Sequence, residues 1–225
     1  MVDLQTGKHR IRWTAPEGPG SLFRSVSAAQ QLFWTSTDYL VFPWEGNGWT
    51  NLYALPVAQG APKRLTPGEF EVQYVSLSPD GRTFLYNSNQ EDIDRQHIWA
   101  VTPGEGPTRR LTLGSGVEWA PVMNGAGTIA LLHATGTLPA HPVYLANGQM
   151  DQLVPGALPT DWPTEQLRAP TQVIFPAADG MPIHGQLFLP PDYNPTDQYP
   201  AVLFFHGGSR RQMLLGFHHR GYYHN

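Results

Sequence analysis

A mostly β chain is predicted by three observations. Segments of about 45 residues resemble one another in order along the 225 residues, glycine and proline number 23 and 22, and tryptophan, phenylalanine and tyrosine number 7, 10 and 9. Frequent turns, many aromatics and a fixed repeat length fit short strands joined by tight connections. Four strands per repeat of about 45 residues is the pattern of a β-propeller blade, so the expected architecture is an incomplete β-propeller of about three and a half four-stranded blades. A β-sandwich with evenly spaced hairpins is the alternative, but it gives no reason for the same aromatic to return in each third strand.

The repeats are read from matched slots. Asn51-Leu52-Tyr53-Ala54-Leu55 returns as His97-Ile98-Trp99-Ala100-Val101 and as Pro142-Val143-Tyr144-Leu145, which places an aromatic at 53, 99 and 144. Lys63-Arg64-Leu65-Thr66 returns as Arg109-Arg110-Leu111-Thr112, with Leu153 a weaker third copy. Turn slots lie at Asp38, Asp80-Gly81 and Asn124-Gly125. The blades are expected near 31–66, 72–112 and 117–153, within a propeller part spanning 1–158. In the middle blade the strands are expected near Val72–Ser76, Thr83–Ser88, His97–Val101 and Thr108–Thr112, with Ser78-Pro79-Asp80-Gly81 turning between the first two. The basic pairs precede Leu-Thr in the fourth strands and are expected to be solvated edge charges that discourage edge-to-edge pairing. Tyr53, Trp99 and Tyr144 are expected in blade cores and not on a ligand-stacking surface.

Residues 1–13 read as half a blade: the end of one strand, a turn, and a second strand through Trp13. A ring of three and a half blades does not close, so the terminal blade should expose an apolar face and pair with another copy, or aggregate. Residues 159–170, rich in proline, break the period and read as an interdomain linker. Thr171–Phe175 and Ile183–Leu189 read as strands around the Ala178-Asp179-Gly180 turn, followed by a proline-rich loop over 190–200.

Tyr199-Pro200-Ala201-Val202-Leu203-Phe204-Phe205 then reads as a strand buried on both faces of a mainly parallel sheet, because its apolar residues run without alternation. It ends in His206-Gly207-Gly208. Two glycines let a backbone turn sharply and bring its N–H groups close to a ligand. Lipases and esterases hold an acyl-transfer oxyanion with such a loop; the plain alternative is a tight turn after a core strand.

Composition bounds the function. The net charge is −4, charged residues are only 14% and basic residues come in scattered pairs, so no nucleic-acid footprint is visible. No apolar run is long enough to span a bilayer as a helix, and the first residues show no signal-peptide pattern. The absence of cysteine excludes disulfides and thiol catalysis but leaves the compartment, cytoplasmic or periplasmic, undetermined. The segment Phe217-His218-His219-Arg220-Gly221-Tyr222-Tyr223-His224 is rich in histidine, yet it lacks metal-ligand spacing, and no metal or other cofactor is expected. Arg210 and Arg211 suit a carboxylate ligand but read first as a solvent-facing loop dyad.

Taken together, these motifs resemble the prolyl oligopeptidase family of serine peptidases, in its bacterial dipeptidyl peptidase IV and acylaminoacyl-peptidase branch. The residues that carry the resemblance are Trp44-Glu45-Gly46-Asn47-Gly48-Trp49-Thr50-Asn51-Leu52-Tyr53, Leu77-Ser78-Pro79-Asp80-Gly81-Arg82, Asp179-Gly180-Met181-Pro182-Ile183-His184-Gly185 and His206-Gly207-Gly208-Ser209-Arg210-Arg211-Gln212. The resemblance implies that 171–225 is the N-terminal part of an α/β-hydrolase domain, that the substrate of the complete protein is a peptide, and that His206, Gly207 and Gly208 lie at the oxyanion loop. Ser209 stands where many relatives have proline. The family nucleophile sits in Gly-x-Ser-x-Gly, and no such pentapeptide occurs in the 225 residues. No catalytic triad residue is therefore assigned, and the chain reads as an inactive piece of a peptidase. Glu45 is expected to be an exposed rim residue and not an anchor for a substrate amino group. Two other readings stay open at this point: a propeller that binds a protein partner, and a fragment of an esterase.

Overall fold

The computed structural model describes residues 1–18, 20–21, 23–208 and 212–217. It contains fourteen strands, and no helix occurs among the described residues. Three four-stranded antiparallel sheets follow one another in chain order. The first is β1 (Phe33–Trp34), β2 (Tyr39–Trp44), β3 (Asn51–Pro56) and β4 (Lys63–Arg64). The second is β5 (Val72–Leu77), β6 (Phe84–Ser88), β7 (His97–Val101) and β8 (Arg109–Arg110). The third is β9 (Val117–Met123), β10 (Ile129–Ala134), β11 (His141–Ala146) and β12 (Gln149–Gln152). A separate hairpin pairs β13 (Thr171–Pro176) with β14 (Pro182–Leu187). This arrangement is consistent with the propeller region that the repeats predict.

Local chemistry explains why the repeats end alike. In the first sheet the Leu65 N–H donates to the Leu52 carbonyl at 2.8 Å, and the Leu52 N–H donates to the Thr66 hydroxyl at 2.9 Å. In the second, Leu111 donates to Ile98 at 2.8 Å, and the Ile98 N–H donates to the Thr112 hydroxyl at 2.8 Å. Each Leu-Thr pair therefore prolongs a two-residue fourth strand by a side-chain bond, which satisfies a buried N–H that the short strand would leave open. The basic pairs lie on these outer edges as expected, and Arg110 also covers the Trp99 ring, its guanidinium carbon 5.9 Å from the ring centre.

The turn at Ser78–Gly81 also forms as its sequence predicts. Gly81 donates to the Ser78 carbonyl at 2.8 Å and has φ +72°, a conformation glycine adopts without the steric cost a Cβ brings. The Asp80 carboxylate accepts from the Ser78 hydroxyl and from the Arg82 N–H, and these bonds hold it below the usual carboxylate range.

The second sheet lies between the other two. On one face Phe84, Tyr86, Trp99 and Val101 pack against Phe33, Val41, Leu52 and Ala54 of the first sheet. On the other, Ile98 packs against Leu131 and Val143 of the third. Tyr53 and Trp99 are buried, as expected of core aromatics. Tyr144 departs from that expectation. Val143 and Leu145 face the second sheet instead, which turns Tyr144 to the opposite side, where it lines a shallow cleft. Side chains alternate along a strand, so a one-residue offset between sequence-equivalent slots reverses the face.

Two expected elements do not form. Residues 1–13 hold one isolated bridge, Val2 to His9, and no second strand through Trp13. The expected turn does form, with backbone bonds from Asp3 to Lys8 at 2.8 Å and from Arg10 to Met1 at 3.0 Å, and beyond it Trp13 stacks on Phe42 at 5.4 Å and meets Trp44 edge-on at 5.0 Å. The expected buried strand at 199–205 is the larger correction. It forms no strand, and Val202, Leu203 and Phe205 are 94%, 78% and 84% exposed. An extended apolar segment becomes a strand only beside a neighbour that takes its backbone groups, and a strand buried on both faces needs cover on both.

Candidate functional site

Three places bring polar chemistry together. The first is the glycine corner. Gly208 has φ +86°, so the backbone turns there as the two glycines predict. His206 is half-buried, its Nδ1 3.4 Å from the Gly207 carbonyl, while Gly207 and Gly208 are exposed. Ser209, Arg210, Arg211 and the histidines after Phe217 lie outside the described residues.

The second is a joint between the hairpin and the three sheets. Asp94, in the loop from β6 to β7, is buried, and its Oδ2 accepts from His184 Nδ1 at 2.8 Å and from the Gln172 amide. Its backbone carbonyl accepts the Leu215 N–H at 2.9 Å. The neighbouring Ile93 carbonyl accepts the Gln212 amide, and the Leu214 carbonyl accepts the Gln186 amide. Leu214 and Phe217 bury themselves against Val117, Trp119 and Ala134, and the Phe217 N–H donates to the Thr135 carbonyl at 3.0 Å. The expected linker contributes too: Trp162 donates from Nε1 to the Thr137 carbonyl at 3.2 Å and packs on Phe217.

The third is a buried carboxylate. Glu118 in β9 is fully inaccessible; its Oε2 accepts from His97 Nδ1 at 2.8 Å and from the Thr112 hydroxyl at 3.0 Å, and its Oε1 accepts from His133 Nδ1 at 3.0 Å. Both imidazoles can donate as neutral Nδ1–H tautomers, so the cluster requires only one charge. Burial alone would raise the carboxyl pKa. Hydrogen bonds from His133 and His97, together with the electrostatic attraction of the two imidazoles, outweigh that burial and hold it below the ordinary glutamate value. His97 Nε2 is buried with no hydrogen bond, and Asp92 Oδ2 is 3.6 Å away. The large clefts do not reach this cluster: one of about 540 Å³ is lined by Ser27–Gln30, Tyr74–Leu77 and Ala120–Val122, and one of about 910 Å³ covers the outer face of the first sheet around Trp13, Phe23, Trp34 and Phe42. Glu118 therefore ties the second sheet to the third, and neither of these two clefts reaches it among the described residues. No group of three or more metal-ligating side chains is placed to hold a metal among the described residues.

Glu45 also differs from its expectation. It is buried, and Arg24 Nε pairs with its Oε2 at 2.9 Å. A partner cation is what lets a loop carboxylate leave water. Asp94, His97, Glu118, His133 and His184 went unassigned in the sequence because their partners lie far apart along the chain. The one available hint was His184 within Asp179–Gly185.

A family model described as the dipeptidyl peptidase IV (DPP IV) N-terminal region matches residues 1–139. The chain belongs to the dipeptidyl peptidase IV family. A probable dipeptidyl peptidase 4 of Aspergillus flavus is 23% identical over 181 residues, covering 74% of this chain and 22% of that protein. The corresponding protein of Aspergillus clavatus is 29% identical over 79 residues, 35% of this chain and 10% of that one. Among solved structures, Porphyromonas gingivalis dipeptidyl peptidase 4 superimposes with a TM-score of 0.65 at 16% identity, covering 84% of this chain and 27% of that one. A puromycin hydrolase gives 0.60 at 21% identity, covering 76% and 27%. At these identities the superpositions speak for the fold. This DPP IV-family chain spans about a quarter or less of the length of these relatives.

Proposed function

We propose that the chain is part of a serine-type peptidase that hydrolyses peptides through an acyl-enzyme. In this reading residues 1–158 form a partial β-propeller of about three and a half blades, 159–170 a linker, and 171–225 the first part of an α/β-hydrolase domain. His206, Gly207 and Gly208 hold the oxyanion loop, with backbone N–H groups as donors, each worth about 3 kcal/mol to the transition state. The observation that carries the reading is the family match over residues 1–139. The hairpin at 171–187 and the turned backbone at Gly208, in that order after the repeats, support its extension to the rest of the chain.

The 225 residues contain no Gly-x-Ser-x-Gly, so this chain is proposed to lack the nucleophile. A fluorophosphonate probe should leave it unlabelled; covalent labelling of any serine in the folded chain would overturn this part of the reading. For a longer protein that supplies the nucleophile, comparing peptides with free and blocked amino termini would separate a dipeptidyl peptidase from an esterase.

Self-association is part of the same reading. The apolar cleft beside Phe42 and the exposed Val202–Phe205 stretch leave nonpolar surface in water that a second copy would cover. Light scattering is expected to find dimers or larger species at micromolar concentration, and a monomer that persists on concentration would count against this.

A further inference from the structure

We propose that Asp94 is a positioning residue that ties the hairpin 171–187 to the segment 212–217, the two anchored segments between which the glycine corner lies in the chain. The corner lies in the chain between two anchored segments, the hairpin that ends at Leu187 and the segment 212–217. Asp94 reaches both. Its carboxylate accepts from Gln172 on β13 and from His184 on β14, and its carbonyl accepts from Leu215.

The hairpin's alternation explains this choice of contacts. Gln172 pairs with Gln186 across the hairpin and Ile174 with His184, so Gln172, His184 and Gln186 share one face. All three of these polar side chains are used in the joint, Gln186 on the Leu214 carbonyl and the others on Asp94. The apolar Phe175, Met181 and Leu187 remain exposed. The hairpin thus docks by directional bonds and not by its apolar surface.

Segment 212–217 is held differently, by burial of Leu214 and Phe217 against Val117 and Trp119. Burial of this kind holds surfaces together but has no preferred direction. The hydrogen bonds from Leu215 to Asp94 and from Phe217 to Thr135 set its register. A carboxylate with donors from both strands of the hairpin, on a residue whose carbonyl holds the second segment, makes the two placements depend on each other. Its consequence for an oxyanion rests on the peptidase reading; the tie itself does not.

Amide hydrogen exchange on the 225-residue chain tests this. Asp94→Ala is expected to speed exchange at Leu215 and Phe217 at least tenfold, with Ile98 and Leu111 in the second sheet unchanged. Asp94→Asn, which keeps an acceptor oxygen for His184, is expected to restore most of the protection. His184→Ala in the Asp94→Ala background should add little. Unchanged protection at Leu215 and Phe217 would overturn the proposal. So would faster exchange spread equally to Ile98, which would mark a general loss of stability, or an Asn variant no better than Ala. None of these readouts involves turnover, so failure of the peptidase reading would leave them intact.

Discussion

Replacing Glu118 with alanine is expected to lower the unfolding free energy by about 3–5 kcal/mol, the cost of removing one partner from a buried, charge-assisted cluster. The side chain accepts three hydrogen bonds, from His97, Thr112 and His133, and none can be passed to water because the carboxylate is fully inaccessible. The substitution leaves the His97 imidazole N–H and the Thr112 hydroxyl buried with no acceptor and takes its acceptor from the half-buried His133. Gly116 adds to the constraint, since a Cβ there would lie 2.2 Å from His133 Cε1 and 2.6 Å from Glu118 Oε1, so the surroundings have little room to rearrange. Urea unfolding followed by tryptophan fluorescence reads the effect as a fall in the midpoint; a change below about 1 kcal/mol would show that the cluster contributes no net stability.

The same group sets an acid limit. Its pKa is depressed on folding, so its contribution is fully present above the ordinary glutamate value, about 4.3, and is lost as pH falls through the lower folded value. Glu118→Gln should therefore flatten the decline of stability below about pH 4.5, where the carboxylate of the unfolded wild-type chain takes up its proton before that of the folded chain.

Phe84→Ala is expected to cost about 3–5 kcal/mol as well, by a different route. The ring is fully buried in the core between the first and second sheets and meets Phe33 edge-on at 5.3 Å. Truncation opens a cavity at the contact between two sheets, so the loss combines transfer free energy with unfilled volume. The denaturant midpoint should fall while the slope with denaturant stays constant; Phe84→Leu should recover more than half of the loss. A midpoint unchanged by Phe84→Ala would mean that the first sheet contributes little to the stability of the second.

Much of the fold was legible in local pattern. Each of the first three middle-repeat strands starts within a residue of its expected position, and β7 matches at both ends, because alternating residues and an Asp-Gly turn are local signals. The fourth strand is shorter than expected, two residues completed by a threonine hydroxyl. Such a bond depends on where the neighbouring strand lies, and no spacing within the segment displays it.

The candidate site was less legible. His206, Gly207 and Gly208 stand out as a motif, yet the apolar run before them does not become a strand. Its composition states that it is suited to burial and cannot state what covers it. Glu45 was expected in water because loops usually expose charge; Arg24, 21 positions earlier, keeps it inside. Tyr144 occupies the right slot on the wrong face, because register is fixed by pairing between strands.

The sequence by itself determined the repeat length, the turn positions, the order of strands and the kinship of the chain, since each is written in residues close together or in a recurring motif. Only the tertiary structure decided that Glu118 joins two sheets and that Asp94 holds the hairpin. The histidine bonds of Glu118 and the hairpin bonds of Asp94 link positions between 15 and 90 residues apart. A buried carboxylate is defined by the donors around it, and chain folding, not chain order, brings those donors together.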